Sequence, residues 1–428
     1  MGLPGRGRSL IVSRNVDTYE PESVGMSSAY LAHIDELVEG HLAADAYQGI
    51  VVLVARHGRI CYFKAFGKAD DDRPMATDSV FRLASMSKVP SAVAVLQLWD
   101  RGLISLADPI STYLPEFADP KVAQLNEWGE VKLVTAKREI TIHDLLSMTA
   151  GMTNTWWYDL FTPTNYRVVP KLYADAGLVD DLNAPPITLE SNVKILAQQP
   201  LMAHPGEAFD YSNNSVDTLC RMVEVVSGLS FDEYLRANIF APLGMDETWF
   251  FPPEDQLDRV AAVYWAGRDE QQTGPSPLGL GNLGPQFTFS PHKTFFSGAG
   301  GLHGTTFDYY RFAQMLLNKG ELDGVRVVSR AAVELMTSNQ IGGLTNWQLT
   351  QNKWGYQLDI QEGTNAPAGS IHYLGGPGAY SWQGFFSTKF VNNPARDTVI
   401  LSMTTPGFDG ALPHNLRVIA AANAAVID

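Results

Sequence analysis

The sequence predicts an α+β fold: one antiparallel sheet built from both chain ends, flanked by helices, with a mainly helical lobe inserted in the middle. Three observations predict it. A strand pair lies near each terminus, an amphipathic helix pattern precedes the first pair and an Ala-rich one follows the last, and the long middle reads as mostly helical. The expected division places residues 1–100 and 300–428 in a discontinuous sheet domain and residues 101–299 in the inserted lobe, with a cleft between them as the natural site.

Residues 27–43 place Leu31, Ile34, Leu37 and Val38 at helical spacing behind serines able to cap. Two β-rich runs follow, GIVVLVA and ICYFKAFG, joined across Arg56-His57-Gly58-Arg59 as a hairpin. At the other end FFSTKFVNN and DTVILSMTT flank Asn393-Pro394-Ala395-Arg396, a second hairpin, and the tail LRVIAAANAAV reads as a helix. The segment Gly279-Leu280-Gly281-Asn282-Leu283-Gly284 matches a dinucleotide-binding pattern in letters only, because Pro277 and Pro285 flank it where a strand and a helix are required.

Composition excludes several function classes. With 428 residues, 45% of them hydrophobic and 18% charged, the chain can bury a large core. A net charge of −15 repels a phosphate backbone, so nucleic acid is not an expected partner. Two cysteines, Cys61 and Cys220, are too few for a disulfide framework, and Cys61 in an apolar run reads as a buried reduced thiol. The N-terminal apolar patch, Leu10-Ile11-Val12, is far short of a signal peptide, and no apolar run is long enough to span a bilayer. The expectation is a soluble, cytoplasmic protein with no membrane partner; oligomeric state is not legible.

The chemistry concentrates at Ser85-Met86-Ser87-Lys88, which follows the strand-like Val80–Ala84 run and opens an apolar helical pattern that Gly102 can end. A three-residue spacing puts Lys88 on the same face as Ser85. A serine hydroxyl needs a base, and a lysine desolvated in a cleft can supply a neutral amine. The helix start adds free N–H groups where an oxyanion would form. Two other Ser-x-x-Lys matches, Ser191 to Lys194 and Ser290 to Lys293, lack an apolar context, and their serines and lysines read as caps and solvated side chains. The second element is Tyr211-Ser212-Asn213, the one Tyr-x-Asn in the chain. A phenol beside a lysine cation can shuttle a proton; alone, it would read as a loop tyrosine with a hydrogen-bonded hydroxyl.

With these motifs the sequence resembles the serine β-lactamase, penicillin-binding-protein and esterase superfamily, most like the class C β-lactamases and the family VIII carboxylesterases. The resemblance covers most of the chain and includes residues 142–151 (IHDLLSMTAG), 205–207 (PGE), 241–245 (APLGM) and 297–301 (SGAGG), in family order. It implies a β-lactamase/transpeptidase-like fold, Ser85 as nucleophile, Lys88 and Tyr211 sharing general base and acid duties, and Asn213 orienting substrate or Lys88. The third family motif, Lys-Thr-Gly in lactamases and Trp-Gly-Gly in many esterases, corresponds to Trp382-Gln383-Gly384 followed by Phe385. Trp382 favours an esterase, Gln383 departs from the pattern, and Trp382, Gln383 and Gly384 are expected, with Asn213, to contact substrate. The oxyanion hole implied is the backbone N–H of Ser85 and Phe385.

The function expected is a serine hydrolase forming an acyl-enzyme, a carboxylesterase acting on small to medium esters without cofactor or metal. The same site serves a β-lactamase, a D-amino-acid peptidase or amidase, or an acyltransferase; a catalytically silent sensor module is the alternative of a different class. Trp156 and Trp157, with Tyr158 and Phe161, are candidates to line an acyl or alcohol pocket, with core packing the equal alternative. A Ser-His-Asp hydrolase is disfavoured because no Gly-x-Ser-x-Gly elbow occurs, and His143, His303 and His372 read as structural. A metal enzyme is disfavoured by the lack of HExxH or a cysteine pair.

Overall fold

The computed structural model describes residues 16–44, 46–126, 130–155, 168–180, 185–264, 292–346, 350, 352–363, 373–405 and 412–428. In chain order its elements are α1 (Ser28–Ala43), β1 (Gly49–Arg56), β2 (Arg59–Gly67), β3 (Val80–Arg82), α2 (Lys88–Asp100), β4 (Lys121–Leu125), β5 (Val131–Thr135) and α3 (Ile142–Leu146). There follow α4 (Val168–Asp175), α5 (Leu189–Leu196), α6 (Asn213–Ser227), α7 (Phe231–Leu235), β6 (Thr248–Trp249), β7 (His303–Thr305) and α8 (Thr306–Leu317). The chain closes with β8 (Glu321–Leu322), β9 (Val325–Arg326), α9 (Arg330–Met336), β10 (Lys353–Trp354), β11 (Asp359–Ile360), β12 (Tyr380–Gln383), β13 (Lys389–Asn393), β14 (Thr398–Thr404) and α10 (Leu412–Ala424).

Both chain ends meet in the main sheet, whose order is β10-β11-β12-β13-β14-β1-β2. β1 pairs antiparallel with β14 from Ile50↔Thr404 to Arg56↔Thr398, so the first and last hairpins share one seam. The first hairpin turns at His57 and Gly58, both at positive φ (52° and 71°), the geometry whose twist suits adjoining strands. Because side chains alternate across a strand, the sheet carries two cores. Val51, Leu53, Phe390, Leu401 and Met403 join the large cluster with α2 and α8, while Ile50, Val52, Val54, Val391 and Ile400 pack with Leu31, Ile34 and Val38 of α1 and Val418 and Ile419 of α10.

The helix α1 starts where its cap was read: Ser27 Oγ accepts from Tyr30 N. α2 is buried from Lys88 through Leu98, a helix enclosed on all sides and not the one-faced helix its sequence suggests. At the rejected Ser191 match, Thr188 caps α5, Ser191 completes the capping box and Lys194 pairs with Glu190 in solvent. Two strand features that spacing does not announce are the β4–β5 hairpin of the middle and the pairing of β3 with β7 and β6 in a small sheet. Among the described residues no helix is long and apolar enough to cross a membrane. Cys61 and Cys220 are both free and buried.

His303 lies on β7 opposite Arg82 of β3 and is 1% exposed. Burial, reinforced by the Arg82 charge, pushes its imidazole from 6.5 down to about 3. The unfolded chain therefore takes up this proton below about pH 6.5 while the fold does not, so the stability His303 contributes is present above that pH and is lost as pH falls toward about 3. The stability advantage of wild type over His303→Gln is expected to shrink by about 2 kcal/mol between about pH 6.5 and pH 4.5, the slope approaching about 1.4 kcal/mol per pH unit at the acid end. Urea unfolding of both proteins at the two pH values measures it, and an advantage independent of pH contradicts the assignment.

Candidate active site

Ser85 sits where β3 gives way to α2. The turn is made by Ala84 at φ 45°, a conformation disfavoured for a residue with a Cβ, and residues Ala84–Ser87 then form a single tight 3₁₀ turn before α2 begins at Lys88. Side chains three apart eclipse one another in such a turn, which stacks Lys88 on Ser85 more directly than an α-helix would. The turn is anchored from behind: Tyr309 donates its hydroxyl to Met86 O at 3.0 Å, and Leu302 N donates to Ser87 Oγ at 3.1 Å.

Lys88 is fully buried, and its Nζ contacts Ser85 Oγ at 3.2 Å, Asn213 Oδ1 at 2.6 Å and the carbonyl of Ala299 at 2.6 Å. Nζ also lies 4.9 Å from the centre of the Tyr211 ring, within cation–π range. The Tyr-Ser-Asn segment is held by the start of α6, where Ser212 caps the helix by accepting from Ser215 N at 3.3 Å. Asn154 clamps this segment from α3's side of the chain, donating Nδ2 to Tyr211 O at 2.9 Å and accepting from Asn213 N at 2.7 Å. Ser85, Lys88, Tyr211 and Asn213 are therefore brought into one group.

Trp382 joins it from β12. Its Nε1–H donates to the Tyr211 hydroxyl oxygen at 3.2 Å. Tyr211, Trp382, Trp354 and Phe209 form an aromatic wall, with Trp354 and Trp382 ring centres 4.4 Å apart. Removing the indole donor in Trp382→Phe is expected to lower kcat/KM on esters about tenfold, the equivalent of one hydrogen bond to a group that develops charge. Steady-state kinetics reads the change, and undiminished kcat/KM contradicts a role for this hydrogen bond.

Gly384 is required where it stands. A Cβ there would fall 2.4 Å from the backbone oxygen of Leu83 and 2.2 Å from Thr388 Oγ1, so the end of β12 lies directly against the approach to Ser85. Phe385, half-exposed, follows directly on Gly384. Gln383 is not brought into the group: strand alternation turns it to the opposite face from Trp382, where its Oε1 accepts from Lys389 Nζ at 3.2 Å. Burial lowers Lys389 to about 8, opposed by the charge of Asp359. Trp156 and Trp157 lie outside the described residues, as do His372 and the residues 279–284. His143 bonds through Nδ1 to the Tyr356 hydroxyl at 2.8 Å. Among the described residues no group of three or more His, Cys, Asp or Glu is placed to hold a metal ion.

Sequence reasoning missed Asn154, Trp354, Ala299 and Asp217. Ala299 lay within residues 297–301, quoted for the resemblance but given no role, and Asp217 carried the signal of an acid in a stretch of α6 that is buried from Asn213 through Cys220. Its carboxylate accepts from Ser297 Oγ at 2.9 Å and from Ala299 N at 3.2 Å.

A helix-flanked antiparallel sheet with a serine, a buried lysine and a tyrosine gathered beside one of its strands defines the serine-hydrolase class of protein. The chain belongs to the Beta-lactamase family, which it matches over residues 34–424. It is 30% identical over 371 residues to protein Rv1367c of Mycobacterium tuberculosis, covering 84% of this chain and 86% of the relative. It is 29% identical over 405 residues to esterase EstB of Burkholderia gladioli, covering 91% and 94%. Among solved structures it is similar to EstCE1, described as a hydrolase with promiscuous acyltransferase activity, with a TM-score of 0.74, 25% identity and coverage of 92% and 99%. The β-lactamase/transpeptidase-like fold expected from the motifs is thus borne out.

Proposed function

We propose that this chain is a carboxylesterase that carries the acyl group of small to medium esters on Ser85 and releases it to water. The observation that carries the reading is the environment of Lys88. A neutral amine has two N–H bonds and one lone pair. With Lys88 as a neutral amine, its N–H bonds go to Asn213 Oδ1 and Ala299 O at 2.6 Å and its lone pair receives the proton of the Ser85 hydroxyl at 3.2 Å.

In this mechanism Ser85 Oγ attacks the ester carbonyl and its proton passes to Lys88. The oxyanion is received by the backbone N–H groups of Ser85 and Phe385. As the C–O bond to the alcohol breaks, Tyr211 hands a proton to the departing oxygen and is reprotonated from Lys88. The Trp382 N–H stabilises negative charge on the phenol oxygen during that transfer. Water then repeats the sequence in reverse, yielding the acid and free Ser85.

Two further points support ester substrates. Trp382 stands where lactamases of this superfamily carry the lysine of Lys-Thr-Gly, so that position offers no cation to a β-lactam or peptide carboxylate. The Burkholderia gladioli relative is itself an esterase. Transfer of the acyl group to an alcohol uses the same acyl-enzyme. The test is a panel of short-chain and medium-chain p-nitrophenyl esters, nitrocefin and D-amino-acid amides. Ester turnover well above turnover of nitrocefin and the amides is the expected result. Nitrocefin turnover without ester turnover makes the chain a β-lactamase, and no turnover with no acyl adduct by mass spectrometry makes it a binding module.

A further inference from the structure

The buried acid Asp217 has no part in the reaction described above, yet its contacts lead directly to the base. It lies on α6 one turn beyond Asn213 and is 1% exposed. Both its oxygens accept from Ser297 Oγ, at 2.9 and 3.0 Å, and Oδ1 also accepts from Ala299 N at 3.2 Å. The carbonyl of that same Ala299 accepts from Lys88 Nζ at 2.6 Å. The loop between them is pressed against α2 and α6: Ser91 Oγ donates to Gly298 O at 3.0 Å, and a Cβ on Gly298 would fall 2.4 Å from both Cys220 Sγ and Ser91 Oγ.

We propose that Asp217 is a positioning residue for Lys88, gripping residues 297–299 so that the Ala299 carbonyl fixes the amine against Ser85 and placing a buried negative charge beside it. The proposal rests on Lys88 serving as the base for Ser85. α6 then holds Lys88 twice, directly through Asn213 and at one remove through Asp217. The ionisable groups facing Asp217 are Lys88 of α2, Asp180 on the segment after α4, and Cys220 on its own helix. Burial pushes Asp217 up to about 7, opposed by the Ser297 hydroxyl and the Lys88 charge. Asp180 is raised by burial to about 7 as well, and it accepts from the backbone and hydroxyl of Thr155.

Three variants separate grip from charge. Asp217→Asn keeps the size and an acceptor for Ala299 N but removes the charge, Ser297→Ala keeps the charge but removes one hydrogen bond, and Asp217→Ala removes both charge and grip. Their kcat and KM on p-nitrophenyl butyrate are measured from about pH 5 to about pH 9, normalised to sites titrated with a fluorophosphonate. Asp217→Ala is expected to lose about 100-fold in kcat with KM nearly unchanged, the cost of a base moved out of line. In Asp217→Asn the acidic limb of the kcat/KM profile is expected to move about one unit to lower pH, because the anion favouring the charged amine is gone. A limb that stays in place in Asp217→Asn, with kcat per titrated site unchanged in it and in Ser297→Ala, overturns the proposal even if Asp217→Ala does not fold. That failure differs from failure of the underlying reading, in which Ser85→Ala would itself retain ester turnover.

Discussion

Ester hydrolysis by Ser85→Ala is expected to fall by about 10,000-fold or more, to the level that binding and the oxyanion donors alone sustain. The size of the effect follows from the position of this hydroxyl. It follows directly on Ala84, where the backbone costs strain, the Lys88 amine is its neighbour at 3.2 Å, and its own backbone N–H is one of the two donors proposed for the oxyanion. No other serine in the described site has these three features together: Ser212 Oγ is spent on the Thr153 carbonyl and the α6 cap, and Ser297 Oγ on Asp217. The loss should appear in kcat with little change in KM for substrate, because a methyl group in place of the hydroxymethyl leaves the aromatic wall intact. Progress curves at high enzyme concentration measure the residual rate, and a Ser85→Ala enzyme within tenfold of wild type would remove Ser85 from the chemistry.

Lys88→Met is expected to produce a loss of similar size, about 10,000-fold, while filling the same volume with an apolar chain. Its second expected signature is non-additivity. If Lys88 acts only by activating Ser85, the double variant Ser85→Ala, Lys88→Met should be no slower than either single one, since residues that work as a unit cannot be lost twice. A double variant slower by the product of the two losses would mean that Lys88 acts independently of Ser85. Stability must be followed alongside, because removing an ammonium-capable group from a fully buried site that offers Asn213 Oδ1 and Ala299 O leaves two acceptors without their donor. That cost is expected to lower the melting temperature without altering the comparison of rates per mole of folded enzyme.

The parts of this molecule legible from sequence are those in which a long period or an unusual spacing carries the information. β1 and β14 are long, apolar and adjacent to turn residues, so the sheet shared by both chain ends could be read before any coordinates. Strands of two or three residues, such as β6, β7, β10 and β11, have no period to detect, and their existence depends on partners supplied by the rest of the fold. The same division runs through the site. Ser85 and Lys88 stood out against two other Ser-x-x-Lys matches because only theirs opens a buried helix. Asn154, Trp354 and Asp217 act through contacts to residues distant in the chain, such as Asn154 on Asn213 across 59 positions, and no local pattern encodes such contacts. Gln383 shows the converse: its place in a motif suggested a substrate contact, whereas the alternation of β12 sends its side chain to Lys389.

A dry amine one tight turn away is what makes the Ser85 oxygen a nucleophile in the proposed mechanism. The most direct test is to trap the enzyme during turnover of a p-nitrophenyl ester by acid quenching, digest it and map the acyl group by mass spectrometry in wild type and Lys88→Met. One acyl adduct is expected, on the peptide containing Ser85, with none in Lys88→Met quenched at the same time. An adduct on another residue, or equal acylation of Ser85 with and without the lysine, would contradict it.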